Sequence, residues 1–128
     1  MAQATADIGT VDYAVALLAG EHRLTADEGP SLGGRDAGPS PYELLCAALG
    51  ACTAITLRMY AQRKDWQLSA VHVNVLLQSH GKEHVITRRL RFAGDLDEAQ
   101  RARLADIAER TPVTLALKQG IVITTLIG

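Results

Sequence analysis

The sequence is poor in cysteine. Its two thiols, Cys46 and Cys52, are too few to staple a small secreted domain, which excludes a disulfide scaffold. It has no charge excess either: 13 basic residues stand against 14 acidic ones. The basic residues are dispersed apart from Arg88, Arg89 and Arg91, which fall on one predicted strand and read as a solvated strand face. A nucleic-acid binder would show a basic stripe within a recognisable module, so no nucleic acid is expected as a partner. Long apolar runs are also missing. The uncharged run Leu44–Leu57 stops at 14 residues, where a membrane span needs about 20, so no membrane crossing is expected. The N-terminus carries Asp7 and no apolar run behind a basic start, unlike a signal peptide. A cytoplasmic protein with free thiols is the expectation.

Several chemistries lack their parts. The four histidines are scattered, and although His80 and His84 flank a turn, two ligands do not make a metal site. The loop Gly33-Gly34-Arg35-Asp36-Ala37-Gly38 precedes a helix start but lacks the Gly-Lys-Ser/Thr ending of a P-loop, and Pro39 and Pro41 remove donors. No Ser/His/Asp set with a nucleophile elbow is present. Neither metal nor cofactor is therefore expected.

What is present organises a single domain of 128 residues, large enough to bury its own core. Met1–Gly9 is small and polar and is expected to fray. Val11, Tyr13, Val15 and Leu17 alternate and predict a strand over Thr10–Ala19, with a turn at Gly20-Glu21 and a returning strand at His22–Ala26. Asp27–Pro39 holds four Gly and two Pro and reads as loop. Ser40, Pro41 and Glu43 then form a capping box with proline in the first helical position. The helix is predicted to reach Lys64. Leu44, Leu45, Leu49, Ile55, Leu57 and Met59, with small residues between, leave no polar face until Arg58. Such a helix has to be covered all round, and one small sheet covers one side; a second copy of the chain is the simplest cover for the other.

Leu68–His80 and His84–Ala93 read as a hairpin, with Val71, Val73, Val75 and Leu77 on one strand and Ile86, Leu90 and Phe92 on one face of the next. Asp95 with Glu98 predicts a capping box before an amphipathic helix with the stripe Leu96, Ala99, Leu104, Ile107 and Ala108. Thr111-Pro112 starts a short helix, and the β-branched Ile121–Ile127 predicts a closing strand. The fold class is α+β with antiparallel strands around a long buried central helix.

Cys52 sits near the middle of that helix. It reads either as a small apolar filler or as a reactive thiol, which would need a partner that favours the thiolate. Helix spacing places Ala48, Leu49, Ile55 and Thr56 around it, none of them basic, so an activating group has to come from elsewhere in the fold or from a partner subunit. Cys46 lies about 9 Å away along the axis and about 240° around it, too far for an intrahelical disulfide. It reads as core packing.

The block Leu32–Lys64, in which the Gly-Gly-Arg-Asp-Ala-Gly-Pro-Ser-Pro loop runs into the helix around Cys52, resembles the OsmC/Ohr family of osmotically inducible and organic-hydroperoxide-resistance proteins. His22–Glu28 (His-x-x-x-x-Asp-Glu) and Gly94–Arg101 extend the resemblance over most of the chain, which looks closest to the small OsmC-like proteins of the family. The resemblance implies an OsmC-like fold, an intertwined homodimer with two long central helices, and two active sites at the subunit interface. In the peroxidase members a reactive Cys attacks an organic hydroperoxide and becomes sulfenic acid, and a second Cys resolves it as a disulfide. An Arg and a Glu hold the first thiolate ready, and dithiols such as lipoylated proteins serve as reductants.

Carried over by position, Cys52 matches the reactive Cys. The second Cys, which directly precedes a proline in the family, is here Thr111 before Pro112. The family's Glu position holds Tyr42, with Glu43 one residue on and turned by about 100°. Arg23 and Arg35 are the candidates for the Arg. The expected catalytic residues are thus Cys52 and Glu43, with Tyr42 and Thr111 as substrate-binding positions. Each departure also has a plain structural account: Thr111 is a good N-cap and Glu43 completes a capping box. Two readings follow. One is a one-cysteine, thiol-dependent reductase of organic hydroperoxides with an external thiol reductant. The other is a non-enzymatic homodimer that binds a small hydrophobic ligand or senses redox state.

Overall fold

The long helix occupies the span its caps predict. In the computed structural model, which describes residues 1–128, α1 runs over Pro41–Lys64. Ser40 and Glu43 close the capping box: the Ser40 amide donates to Glu43 Oε1 at 2.9 Å, and the Glu43 amide donates to Ser40 Oγ at 3.2 Å. The chain forms two compact units, Met1–Leu45 and Cys46–Gly128.

In the first unit, β1 (Ala4–Asp7), β2 (Val15–Ala19) and β3 (His22–Ala26) form an antiparallel sheet in that order. Leu17 pairs with Leu24 and Ala6 with Leu17. The segment expected to fray is therefore partly a strand. Ala-Thr-Ala-Asp has no amphipathic signature, and its pairing is backbone hydrogen bonding on the open edge of β2. Conversely, the strand predicted from Thr10 begins only at Val15. The Tyr13 amide is turned toward the Asp27 carboxylate and cannot serve a ladder.

Asp27 is the anchor of the following loop, in which Pro30–Leu32 makes one 3-10 turn. Its buried carboxylate accepts from the amides of Glu28 (2.8 Å), Ala37 (3.1 Å) and Arg35 (3.3 Å). Two of the loop glycines are required by close approach. A Cβ at Gly34 would lie 2.0 Å from the Glu28 carbonyl oxygen, and one at Gly38 would lie 2.1 Å from that of Thr25.

In the second unit, β4 (Gln67–His80) and β5 (Glu83–Asp95) form a long antiparallel hairpin with a bulge between Leu68 and Ala70. α2 (Glu98–Ala108) and α3 (Pro112–Gln119) follow. The capping box of α2 is Asp97 with Gln100, not Asp95 with Glu98, because Asp95 still pairs with Gln67 in the sheet. The core joins Leu57 and Ala61 of α1 to Leu68, Leu104 and Ala108, flanked by Trp66, Leu90, Phe92 and Ile107.

Within one chain α1 is buried along a single row, Leu49, Thr53, Leu57 and Ala61, spaced four residues apart on one face. Ile55 and Met59, on other faces, are 54% and 56% exposed. The helix predicted to be covered all round is thus half open in the single chain. By length and composition alone it is also the one helix long and apolar enough to cross a membrane, although the uncharged run within it is shorter. The closing strand predicted at Ile121–Ile127 does not form. The chain after α3 is irregular, and Ile121, Val122, Ile123, Leu126 and Ile127 are exposed. β-branched residues fit a strand only where a neighbouring edge supplies the ladder, and no strand of this chain pairs with the segment.

Candidate functional site

Cys52 meets the start of α3. The Val113 amide donates to Cys52 Sγ at 3.5 Å, across a sequence separation of 61 residues. The first amides of a helix have no intrahelical acceptor. At the start of α3 Pro112 has no N–H at all, which leaves Val113 the first such donor, and it is aimed at the sulfur. The other polar neighbour is Thr56 Oγ1, 4.0 Å from the sulfur and one helical turn on. Both cysteines are free thiols.

Thr111 is the N-cap of α3 and fully buried. Its hydroxyl does not cap the helix through a backbone amide, as expected of such a threonine. It lies 2.6 Å from Thr114 Oγ1 instead. The start of α3 thus carries a pair of bonded, buried hydroxyls. Thr114 Oγ1 also contacts the Ala108 carbonyl at 3.4 Å, and Thr53, the residue after Cys52, donates its hydroxyl to the Leu49 carbonyl at 2.7 Å.

Arg88 joins these groups. Its Nη1 donates to Thr53 Oγ1 at 3.0 Å and to Thr114 Oγ1 at 2.9 Å, while its Nη2 donates to the Ala108 carbonyl at 2.7 Å and to Glu109 Oε2 at 2.8 Å. The Arg88 side chain is only 10% exposed, which corrects its reading as part of a solvated strand face. The signal was in the alternation of β5: Arg88 is in phase with Ile86, Leu90 and Phe92 and so points with them toward the interior, whereas Arg89 and Arg91 point out. A cleft of about 580 Å³ opens beside this network, lined among others by Leu49, Ile86, Arg88, Thr114 and Leu117.

The remaining expected site residues, Glu43, Tyr42, Arg23 and Arg35, belong to the first unit. Glu43 is held in the capping box, where the Ser40 amide and then the Ser40 hydroxyl keep its carboxyl below the ordinary carboxylate range. Tyr42 is exposed on the first turn of α1. Arg23 lies on β3 with an exposed side chain, and Arg35 lends its amide to Asp27. His84 Nδ1 lies 2.8 Å from Ser79 Oγ at the hairpin turn. No three His, Cys, Asp or Glu side chains converge as a metal would require.

Solved structures share this architecture. An OsmC-like protein from Mycoplasma pneumoniae superposes with a TM-score of 0.80 at 18% identity, over 92% of this chain and 87% of that one. The Legionella pneumophila OsmC, described as an organic hydroperoxide resistance protein, gives 0.70 at 21% identity over 92% and 89% of the two chains. A Vibrio cholerae protein assigned to organic hydroperoxide resistance, with captopril bound in one of its active sites, gives 0.69 at 18% over 92% and 84%. At these identities the likeness is one of fold. No curated protein matches the sequence. The family model described as OsmC-like protein matches residues 33–126, which take in α1, the long hairpin, α2 and α3 with Cys52, Arg88 and Thr111. That match covers most of the chain, and the protein belongs to the OsmC-like family.

Proposed function

We propose that the protein is a homodimeric, one-cysteine, thiol-dependent reductase of organic hydroperoxides, working through Cys52 in the cytoplasm. The observation that carries this reading is the Val113 amide on Cys52 Sγ. An N–H at a helix start complements negative charge on sulfur, the form that attacks peroxides. Structures of similar fold described as organic hydroperoxide resistance proteins support the substrate class.

The chemistry runs in three steps. The Cys52 sulfur attacks the outer peroxide oxygen, the O–O bond breaks, and the alkoxide takes a proton and leaves as alcohol. Sulfur is oxidised by two electrons to sulfenic acid, and the peroxide is reduced by the same two. Thr111 holds no thiol to resolve this species. An external thiol therefore attacks the sulfenic sulfur, forming a mixed disulfide and releasing water. A second thiol frees Cys52 and leaves as the external disulfide. Captopril is itself a thiol, and its presence in an active site of the Vibrio cholerae protein supports entry of a small external thiol. In this reading Thr111 and Tyr42 border the substrate, and Glu43 supplies the carboxylate once two chains assemble. The open side of α1, with Ile55 and Met59, is the surface a second copy covers.

The competing reading, a dimer that binds a small hydrophobic ligand or senses redox state without turnover, draws on the absence of any carboxylate or guanidinium among the hydrogen bonds to the sulfur. Consumption of tert-butyl or cumene hydroperoxide with dithiothreitol or dihydrolipoamide separates the two. Wild type is expected to turn over and Cys52→Ser to be inactive. No turnover with any thiol donor overturns the reductase.

A further inference from the structure

We propose that Arg88 is the positioning residue of the thiol site: by tying Thr53 to Thr114 it holds the Val113 amide against Cys52 Sγ. This rests on the reading of Cys52 as the reactive thiol. The sulfur contact joins residues 52 and 113, and the two threonines gripped by the single nitrogen Nη1 are the residues that immediately follow each of them. Nη2 meanwhile holds the end of α2, through the Ala108 carbonyl and Glu109, so one planar group ties the middle of α1, the end of α2 and the first turn of α3 to β5. The guanidinium is a rigid fork of donors and meets four acceptors at once, which a lysine ammonium on a flexible stem cannot copy. Arg88 makes no hydrogen bond to the sulfur itself, so its action runs through the two threonines.

The network is closed. The Thr53 hydroxyl donates to the Leu49 carbonyl, and the Thr114 hydroxyl has Thr111 Oγ1 and the Ala108 carbonyl beside it, so each hydroxyl that accepts from Arg88 has somewhere to donate. No buried polar side-chain atom lacks a partner. Without the guanidinium, Thr53 and Thr114 lose their common donor and the first turn of α3 loses its tie to α1. Displacement of that turn would then lengthen the amide–sulfur contact, which stands at 3.5 Å. The other charged or titratable groups around the network are Glu109, bonded to Nη2, Lys118, 3.7 Å from Glu109, and His84 on the cleft wall. None of these takes part in the bridge between Thr53 and Thr114.

The test is the pH profile of Cys52 alkylation by iodoacetamide, followed by intact mass in a Cys46→Ala background. Arg88→Met, Arg88→Lys and Thr114→Val are compared with the parent, and circular dichroism checks the fold. The profile midpoint is expected to rise by about one pH unit in Arg88→Met, equivalent to about tenfold slower alkylation at a fixed pH below the midpoint. Thr114→Val, which removes the α3 arm of the bridge with the Thr111 and Ala108 contacts but leaves Arg88 on Thr53, shifts it in the same direction by less. Arg88→Lys keeps the charge and still fails to restore the parent profile. A purely structural Arg88 would lower the melting temperature and leave the midpoint in place. A folded Thr114→Val and Arg88→Lys with the parent midpoint overturn the proposal, whether or not Arg88→Met folds. Alkylation uses no hydroperoxide. A parent that alkylates normally but reduces no peroxide overturns the reductase reading alone, and variants that alkylate like the parent overturn only the role of Arg88.

Discussion

Thr111→Cys reinstates a second thiol at the position where the peroxidase pattern carries one, and its behaviour can be worked out from the site. Cys52 already receives the amide of Val113, and Thr111 is the buried cap of the same helix start. Under mild oxidation the new thiol is expected to bridge to Cys52. The bridge closes a loop of about 60 residues, for which the chain-entropy relation gives about 4 kcal/mol. The variant also loses the hydroxyl pair between Thr111 and Thr114, at a cost of about 1 kcal/mol, since Thr114 keeps its bonds to Arg88 and Ala108. With an unfolding entropy of about 2.1 cal/mol/K per residue over 128 residues, 1 kcal/mol corresponds to about 4 °C. The reduced variant should melt about 4 °C below wild type, and oxidation should raise it by about 15 °C. Thiol counting, non-reducing gels and calorimetry in a Cys46→Ala background read all three quantities. Two persistently free thiols, or a bridge only between chains, would refute the apposition of position 111 with Cys52. The assignment of Thr111 to the missing thiol's place would fall with it.

Three further outcomes test other parts of the molecule. Ile55→Asp places a charge on the open side of α1 and is expected to convert a sedimenting dimer into monomer with helix content retained; an unchanged dimer assigns the interface elsewhere. Glu43→Gln keeps a side chain competent for the capping box, so stability should hold while hydroperoxide turnover falls by about tenfold or more; full turnover removes Glu43 from the site. Asp27 is held below its ordinary carboxylate value, first by the Ala37 amide and then by those of Glu28 and Arg35. Its stabilisation is therefore complete above that ordinary value and is lost as pH falls through the lowered one. Asp27→Asn should be less stable than wild type in urea at about pH 7, with the gap closing toward about pH 3; a gap independent of pH refutes the carboxylate's role as loop anchor.

The features legible in the sequence are those specified by neighbours along the chain. Ser40, Pro41 and Glu43 announced α1 and its first turn, and the alternation from Val71 to Leu77 announced β4. The box at α2 slipped by two residues because the ladder held Asp95 in the sheet, which no local pattern records. At α3, Thr111 was correctly placed at the cap, but its hydroxyl found a tertiary partner in Thr114. Arg88 was missed because charge outweighed phase. Three arginines within four positions look solvated, yet the period of the strand puts the first on the inward face. The partner of Cys52 could not be read from spacing at all, because a contact across 61 residues depends on where the hairpin and α2 deliver the start of α3.

Two misfits remain, and they share a cause. α1 is apolar on faces that its own chain leaves open, and the segment from Ile121 to Ile127 has strand-forming residues without a strand to pair with. Each would ordinarily be counted as an error of pattern reading. Apolar periodicity, however, reports what a chain buries in its final state, not whether the burying surface belongs to the same copy. A helix with one row sunk in the core and Ile55 and Met59 outside it has more apolar surface than one layer can use. An unpaired β-branched tail likewise offers a ladder that no strand of its own chain takes up. A second copy is the one partner certain to be present wherever the chain is made, and symmetric pairing would cover both features at once. On the proposed homodimer, sequence and single-chain structure disagree at these two places because the apolar pattern describes an assembly of which one chain would be half.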